Sequence, residues 1–257
     1  MSALMSAAVA TLVFCAPGYP GAAGDAQPFV DQFAKTTASA AGWSGDLAAV
    51  YDPTEQGGLA KLNDKESVLA FVPYAFFVEH GAALHLAPLA QADVVGVGTE
   101  ERWTLVAKAG GTVTDAKSLS GHTILSVAGY APEFVKHSAL AAWTLPSDVK
   151  IEASGQILSA LRRVASGEPV VALLDQTQAA SLATLPFAAQ LKTLVQSPPL
   201  PVALIAVVGA RVPAPRAKAV QTALIKMNVA AGGADTLASL RLKGFVLPKL
   251  PGNTGKP

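Results

Sequence analysis

Short apolar, β-rich runs recur along the whole chain, and stretches of helical periodicity separate them. The runs fall at residues 12–16, 46–51, 68–72, 85–90, 103–107, 123–127, 149–153, 170–174, 192–195 and 202–208. Strands that alternate with helices of this length specify βαβ units. Parallel neighbours need a crossover long enough to bring the chain back to the same end of the sheet. The run "VVALL" at 170–174 has no polar position, as a strand covered on both faces requires. The expected class is α/β, with largely parallel sheets flanked by helices.

Three helices are legible in detail. The first follows Asp25, a candidate cap, and places Phe29, Val30, Phe33 and Thr37 on one face, with Pro28 in its first turn. In "SGQILSALRRVASG", Ser154 is the expected cap. Ile157, Leu158, Leu161, Val164 and Ala165 form the apolar stripe, Arg162 and Arg163 lie on the solvated face, and Gly167 is the stop. A third helix is expected over residues 214–231, with Ala217, Val220, Leu224 and Met227 inward.

Composition narrows the function. The chain has 257 residues, 51% of them hydrophobic and 14% charged, with no unbroken apolar stretch long enough to span a bilayer. The net charge of +1, with no basic stripe, removes the electrostatic case for nucleic acid. The single cysteine, Cys15, excludes an internal disulfide and a multi-cysteine metal site; it is expected as a buried strand residue. His80, His85, His122 and His137 are scattered along the chain and predict no metal centre; no cofactor is expected. No phosphate-binding P-loop or Ser/His/Asp arrangement is visible. At the N-terminus, Ala8-Val9-Ala10 has the small-x-small form of a signal-peptidase site, so residues 1–10 are expected to be a signal-peptide remnant or disordered.

Two segments read as crossings between lobes: "GVGTEERWTLVAKAGG" at 96–111 and "VQSPPLPVALIAVVG" at 195–209. They divide the chain into one lobe of residues 11–98 plus 202–250, an inserted second lobe of residues 99–201, and a tail at 251–257. Two crossings form a hinge with a cleft. The loop after the first strand, "APGYPGAAG", has little side-chain bulk. Either the backbone turns tightly there or something approaches it closely.

The order of these segments resembles a type II periplasmic solute-binding protein of an ABC transporter, close to the phosphate/phosphite/phosphonate-binding family. The matching pieces are "LVFCAPGYPG", "LAFVPYAFF", "GTEERWTLVAK", "TVTDAKSLSGHTILSVAGY", "SALRRVASGEPVVALLDQTQ" and "PPLPVALIAVVG". The resemblance implies a two-lobed fold joined by a two-strand hinge, with a small ligand held in the cleft by strand-to-helix loops. It implies a periplasmic protein, acting as a monomer with an ABC-transporter permease or another envelope component as partner. It implies transport without catalysis; an enzyme of synthase or deaminase type on the same fold is the alternative.

The same resemblance nominates ligand-binding residues: Tyr19 in the first loop, Tyr51 at the end of the second strand, Tyr74 after the third, and Ser126 and Tyr130 in "SVAGYAPEF", the family's anion-binding loop. Asp175, ending "VVALLD", matches an acidic position of some members and equally suits a helix cap; Gln176 follows it. Val127 and Ala128 stand where anion binders carry hydroxyls. The ligand is therefore either phosphonate-like or an apolar or amphipathic molecule such as a lipid or sterol.

Overall fold

The structure is a computed structural model that describes residues 9–18, 23–43 and 45–251. Tyr19 and residues 1–8 lie outside the described residues. In chain order the elements are β1 (Ala10–Cys15), α1 (Ala23–Ala40), β2 (Leu47–Asp52), α2 (Glu55–Asn63), β3 (Ser67–Pro73), α3 (Tyr74–His80) and β4 (Leu86–Val94). There follow β5 (Glu100–Glu101), β6 (Thr104–Lys108), β7 (Thr123–Ser126), α4 (Pro132–Phe134), β8 (Lys150–Ala153), α5 (Ile157–Ser166), β9 (Val170–Leu174) and α6 (Gln176–Ala180). The chain ends with β10 (Leu191–Gln196), β11 (Leu200–Pro201), β12 (Ala203–Val208), α7 (Ala214–Ile225), α8 (Gly233–Ser239) and β13 (Leu242–Val246).

The strands form two sheets with one ribbon between them in the sequence. The six-stranded sheet runs β13-β4-β12-β3-β1-β2, and the five-stranded sheet runs β10-β6-β9-β7-β8. In the first, β1 pairs parallel with β2 and β3, whereas β12 enters antiparallel between β3 and β4. In the second, β7 pairs parallel with β8 and β9, and β6 is antiparallel to both its neighbours. The antiparallel strands β6 and β12 each follow directly on a ribbon strand. The ribbon is the antiparallel pair β5 and β11, with Glu101 opposite Leu200.

Each sheet is covered on both faces, and alternation decides which side chain goes where. Leu12 and Phe14 of β1 join the cluster under α1, α7 and α8, with Phe33, Leu69, Leu224 and Phe245. Val13 and Cys15 face the other way, against Leu62 of α2 and Phe76 of α3. Phe14 meets Phe33 edge-on at 5.4 Å and Phe71 at 5.0 Å. In β9, Val171 and Leu173 pack with Trp103, Ile124 and Phe134, while Val170, Ala172 and Leu174 pack under Leu161 and Val164 of α5. The whole of β9 is buried, as "VVALL" requires.

Several local expectations need correction. Phe29 is 47% exposed and Leu158 46%, because each sits one position off the buried stripe of its helix. Asp25 lies in the first turn of α1 and does not cap it. Ser154 does not cap α5; the cap position is Gln156, with no side-chain bond. The helix expected over 214–231 stops at Ile225. A short turn at Met227–Val229 and Gly232, with φ +69°, separate it from α8. Gly167 does end α5, at φ +91°.

Candidate functional site

The loops after β1, β3, β7 and β9 leave the sheets at the carboxyl ends of their parallel strands and converge at the β5/β11 ribbon. Parallel strands place their following loops at one end, and that is where ligand sites arise in such sheets. The small residues of the first loop have a specific reason. Gly18 has φ +83°, and a Cβ there would overlap the carbonyl oxygen of Val127, in the loop after β7. What approaches the first loop is the other sheet's backbone.

A cavity of about 320 Å³ opens beside this contact. Phe14, Phe71, Val94 and Leu242 form much of its wall, and Cys15, Glu101, Asp175 and Thr177 border it. Pro73, Glu101 and Val202 carry the lining on into a constriction of about 10 Å³. There Pro17, Tyr74 and Trp103 meet Val127, Tyr130 and Phe134. Tyr74 in turn borders a larger groove of about 880 Å³, formed by Val78, Trp143, Leu145 and the turn containing Lys136 and His137.

Among the described residues, the only charged side chains lining the 320 Å³ cavity are Glu101 and Asp175. They are 5% and 6% exposed. Burial, and next the charge of Asp175, push the Glu101 carboxyl up to about 8, against the pull of the Gln176 N–H and the Trp103 indole that it accepts. Asp175 is also raised by burial. The backbone N–H groups of Gln178 and Thr177 work in the opposite direction and favour its ionised form. Its carboxylate accepts the Gln178 N–H at 2.8 Å, and the Gln178 side chain accepts the Asp175 N–H at 3.2 Å. Asp175 thus caps α6 in a full capping box while it faces the cavity. Burial, then Asp52 and Glu55, push the Cys15 thiol up to about 12, which favours its protonated form.

Among the described residues, several amides at the starts of α3, α4 and α6 are engaged by the protein itself. The Tyr74 N–H at the start of α3 donates to Val202 O at 3.0 Å. The Glu133 N–H at the start of α4 donates to the Glu79 carboxylate at 2.8 Å. At α6, Gln178 and Gln176 donate to Asp175 and Glu101.

Of the nominated residues, Tyr74, Tyr130 and Asp175 come together around the cavity and its constriction. Gln176 contributes its backbone, and its side chain reaches Val97 O at 3.5 Å. Ser126 is fully buried, and its hydroxyl accepts the Ala128 N–H within its own loop. Tyr51 packs against the β1 cluster and borders none of the three spaces. Glu101 and Trp103 were not nominated. The only sequence signal for Glu101 was the acidic pair "EE" inside a predicted crossing. Among the described residues no group of histidine, cysteine, aspartate and glutamate side chains could hold a metal ion.

Two helix-covered sheets, a two-strand ribbon and loops closing on a cavity define a solute-binding protein of the periplasmic type. The sequence places it further. Residues 62–250 match the family of ABC-transporter phosphonate periplasmic substrate-binding proteins, and the chain belongs to that family. No curated protein matches it in sequence. Among solved structures, XAC2383 from Xanthomonas citri, bound to chloride ion, is similar at 14% identity and TM-score 0.70, over 95% of this chain and 93% of that one. The binding-protein component PA3383 of an ABC phosphonate transporter from Pseudomonas aeruginosa is similar at 16% identity and TM-score 0.58, over 93% and 82%. PhnD1 from Prochlorococcus marinus, in complex with methylphosphonate, is similar at 13% and 0.57, over 94% and 93%. Membership makes this chain a periplasmic substrate-binding component, with a small-molecule ligand and a membrane permease as partners. No helix among the described residues is long and apolar enough to cross a membrane.

Proposed function

We propose that the protein captures a compact, mostly apolar solute, one that carries an amine where it carries charge, and hands it to the permease. The observation behind this reading is the lining of the 320 Å³ cavity: apolar walls, two carboxylates and, among the described residues, no lysine or arginine. A phosphonate dianion would lose its water and meet the negative charge of Asp175, and burying unpaired charge is costly. An amine could pair with Asp175. The volume lies at the small end of ligand pockets, which span about 300–1,000 Å³. It therefore favours a compact amphiphile over a whole sterol.

In this reading, residues 11–98 with 202–250 form one lobe, residues 99–201 the other, and the β5/β11 ribbon is their hinge. The protein works as a monomer, without nucleic acid, and as a binder and not an enzyme, as its family and structural neighbours suggest. Native mass spectrometry of protein purified from its host should show a small co-purifying amphiphile. Isothermal titration should show no tight binding of inorganic phosphate or methylphosphonate, and measurable binding of hexylamine. Micromolar binding of phosphate, unaffected by Asp175→Ala, would overturn the reading.

A further inference from the structure

We propose that Glu101 is a specificity-determining residue of the cavity: it takes up a proton when the lobes close, so the closed cavity presents one negative charge and one carboxylic-acid donor. The inference rests on the reading of the ribbon as a hinge, and its test needs no ligand.

Glu101 lies on β5, one of the two strands that connect the lobes, and it borders both the cavity and the constriction. Both spaces are walled from two sides. Pro17, Pro73 and Tyr74 come from the six-stranded sheet's loops, and Trp103, Val127 and Tyr130 from the five-stranded sheet's half. Separating those walls admits water to Glu101; closing them removes it. The titratable groups that line these spaces with Glu101 are Cys15 of β1, Tyr74 of α3, Tyr130 of the loop after β7, and Asp175 at the start of α6. None is a cation. Arg102, next along the chain, is turned away, with its guanidinium on Ser197 O at 2.8 Å.

A second charge beside Asp175 in a buried site is therefore unfavourable, although each carboxyl has two donors: the Gln176 N–H and the Trp103 indole at Glu101, the Gln178 and Thr177 N–H groups at Asp175. Burial raises both; Asp175 is fixed by its capping box at the start of α6, whereas Glu101, on the connecting strand, is pushed up to about 8 by burial and by the charge of Asp175. A carboxyl with an ordinary value when wet and a raised value when closed binds its proton more tightly in the closed form. Falling pH then favours closure, over the range from about 8 down to 4.5. A neutral Glu101 also sets selectivity. The closed cavity suits a single positive charge at Asp175 together with a neutral hydrogen-bond acceptor at Glu101.

Infrared spectroscopy of the ligand-free protein at pH 7 reads this directly. Ordinary carboxylates are ionised there, so the wild type should show the carbonyl stretch of a protonated carboxyl. Glu101→Gln should lose it, and Asp175→Asn should make it titrate at lower pH. Small-angle scattering from pH 6 to 9, a range chosen around that value, gives the conformational half. The wild-type radius of gyration should rise with pH, while Glu101→Gln stays compact throughout. A spectrum without the band, a band that survives Glu101→Gln, or a pH-dependent expansion retained in Glu101→Gln would each overturn the proposal. Failure of hexylamine to bind would count against the proposed ligand class alone.

Discussion

Glu79 and Glu133 are joined across the two halves of the molecule: the Glu79 carboxylate, on α3, accepts the backbone N–H of Glu133, at the start of α4, at 2.8 Å. The bond supplies a negative charge to an N-terminal amide from inside the chain. It is solvent-exposed, so its worth is about 1 kcal/mol or less. Glu79→Ala should shift the protein toward a more open form, seen as a larger radius of gyration in small-angle scattering. Glu79→Gln keeps an acceptor and should stay close to the wild type. Equal radii for Glu79→Ala and the wild type would mean that this bond does not hold the halves together.

The capping role of Asp175 is separable from its proposed role at the ligand. Asparagine caps helices about as well as aspartate but carries no charge. Asp175→Asn should keep thermal stability near wild type and weaken hexylamine binding at least tenfold. Asp175→Ala should lose the binding and also about 0.5–2 kcal/mol of stability from the missing cap. Titration calorimetry and urea unfolding together separate the two; equal stability of both variants would show that the capping box is idle.

Gly58 and Cys15 should be coupled in stability. A Cβ on Gly58 would overlap the Cys15 Sγ and stand 2.8 Å from its Cβ. Gly58→Ala should cost about 1–3 kcal/mol through overpacking. Adding Cys15→Ala removes the sulfur and should recover part of that loss. A double-mutant cycle by urea unfolding should give a coupling of about 0.5–3 kcal/mol; additivity would show that α2 simply shifts.

Stability should fall with rising pH over a defined window. Glu101 has a folded value of about 8 against an ordinary 4.5, so the native state holds its proton longer than the unfolded chain. The contribution is complete below about 4.5 and lost as pH rises through about 8. The lowered Asp52, bonded to Lys61 and Thr54, acts in the opposite sense and only at acid pH, as its carboxylate is protonated. Chemical unfolding from pH 5 to 9, a range chosen to cover the Glu101 window, should show the decline in wild type and a flatter profile in Glu101→Gln.

The fold was legible where periodicity and burial agree. "VVALL" announced β9, the glycine after "RRVAS" announced the end of α5, and the two punctuated crossings announced the ribbon. β13 was missed: "LKGFV" has a glycine in its middle and lies at the edge of its sheet, where only one face needs apolar residues. Phe29 and Leu158 misled because a helical stripe tolerates one apolar neighbour on its flank. The positions of Tyr74 at the constriction and Asp175 at the cavity were legible from their place just after strands. Glu101 was not, because a carboxylate in a polar segment reads as solvated, and only the tertiary meeting with Asp175 and Trp103 buries it. Ser126 looked like a ligand donor, but its hydroxyl serves its own turn.

Tyr74 stands at both the constriction and the 880 Å³ groove, stacked on Phe77 at 6.1 Å and edge-on to Phe134 at 6.1 Å. One aromatic ring thus stands between the constriction beside the acidic chamber and a roomy trough behind it. Swinging that ring aside would let a tail thread from chamber to trough. In the proposed reading, a cargo with a tail has to displace this packed ring before the tail can pass from the constriction into the groove.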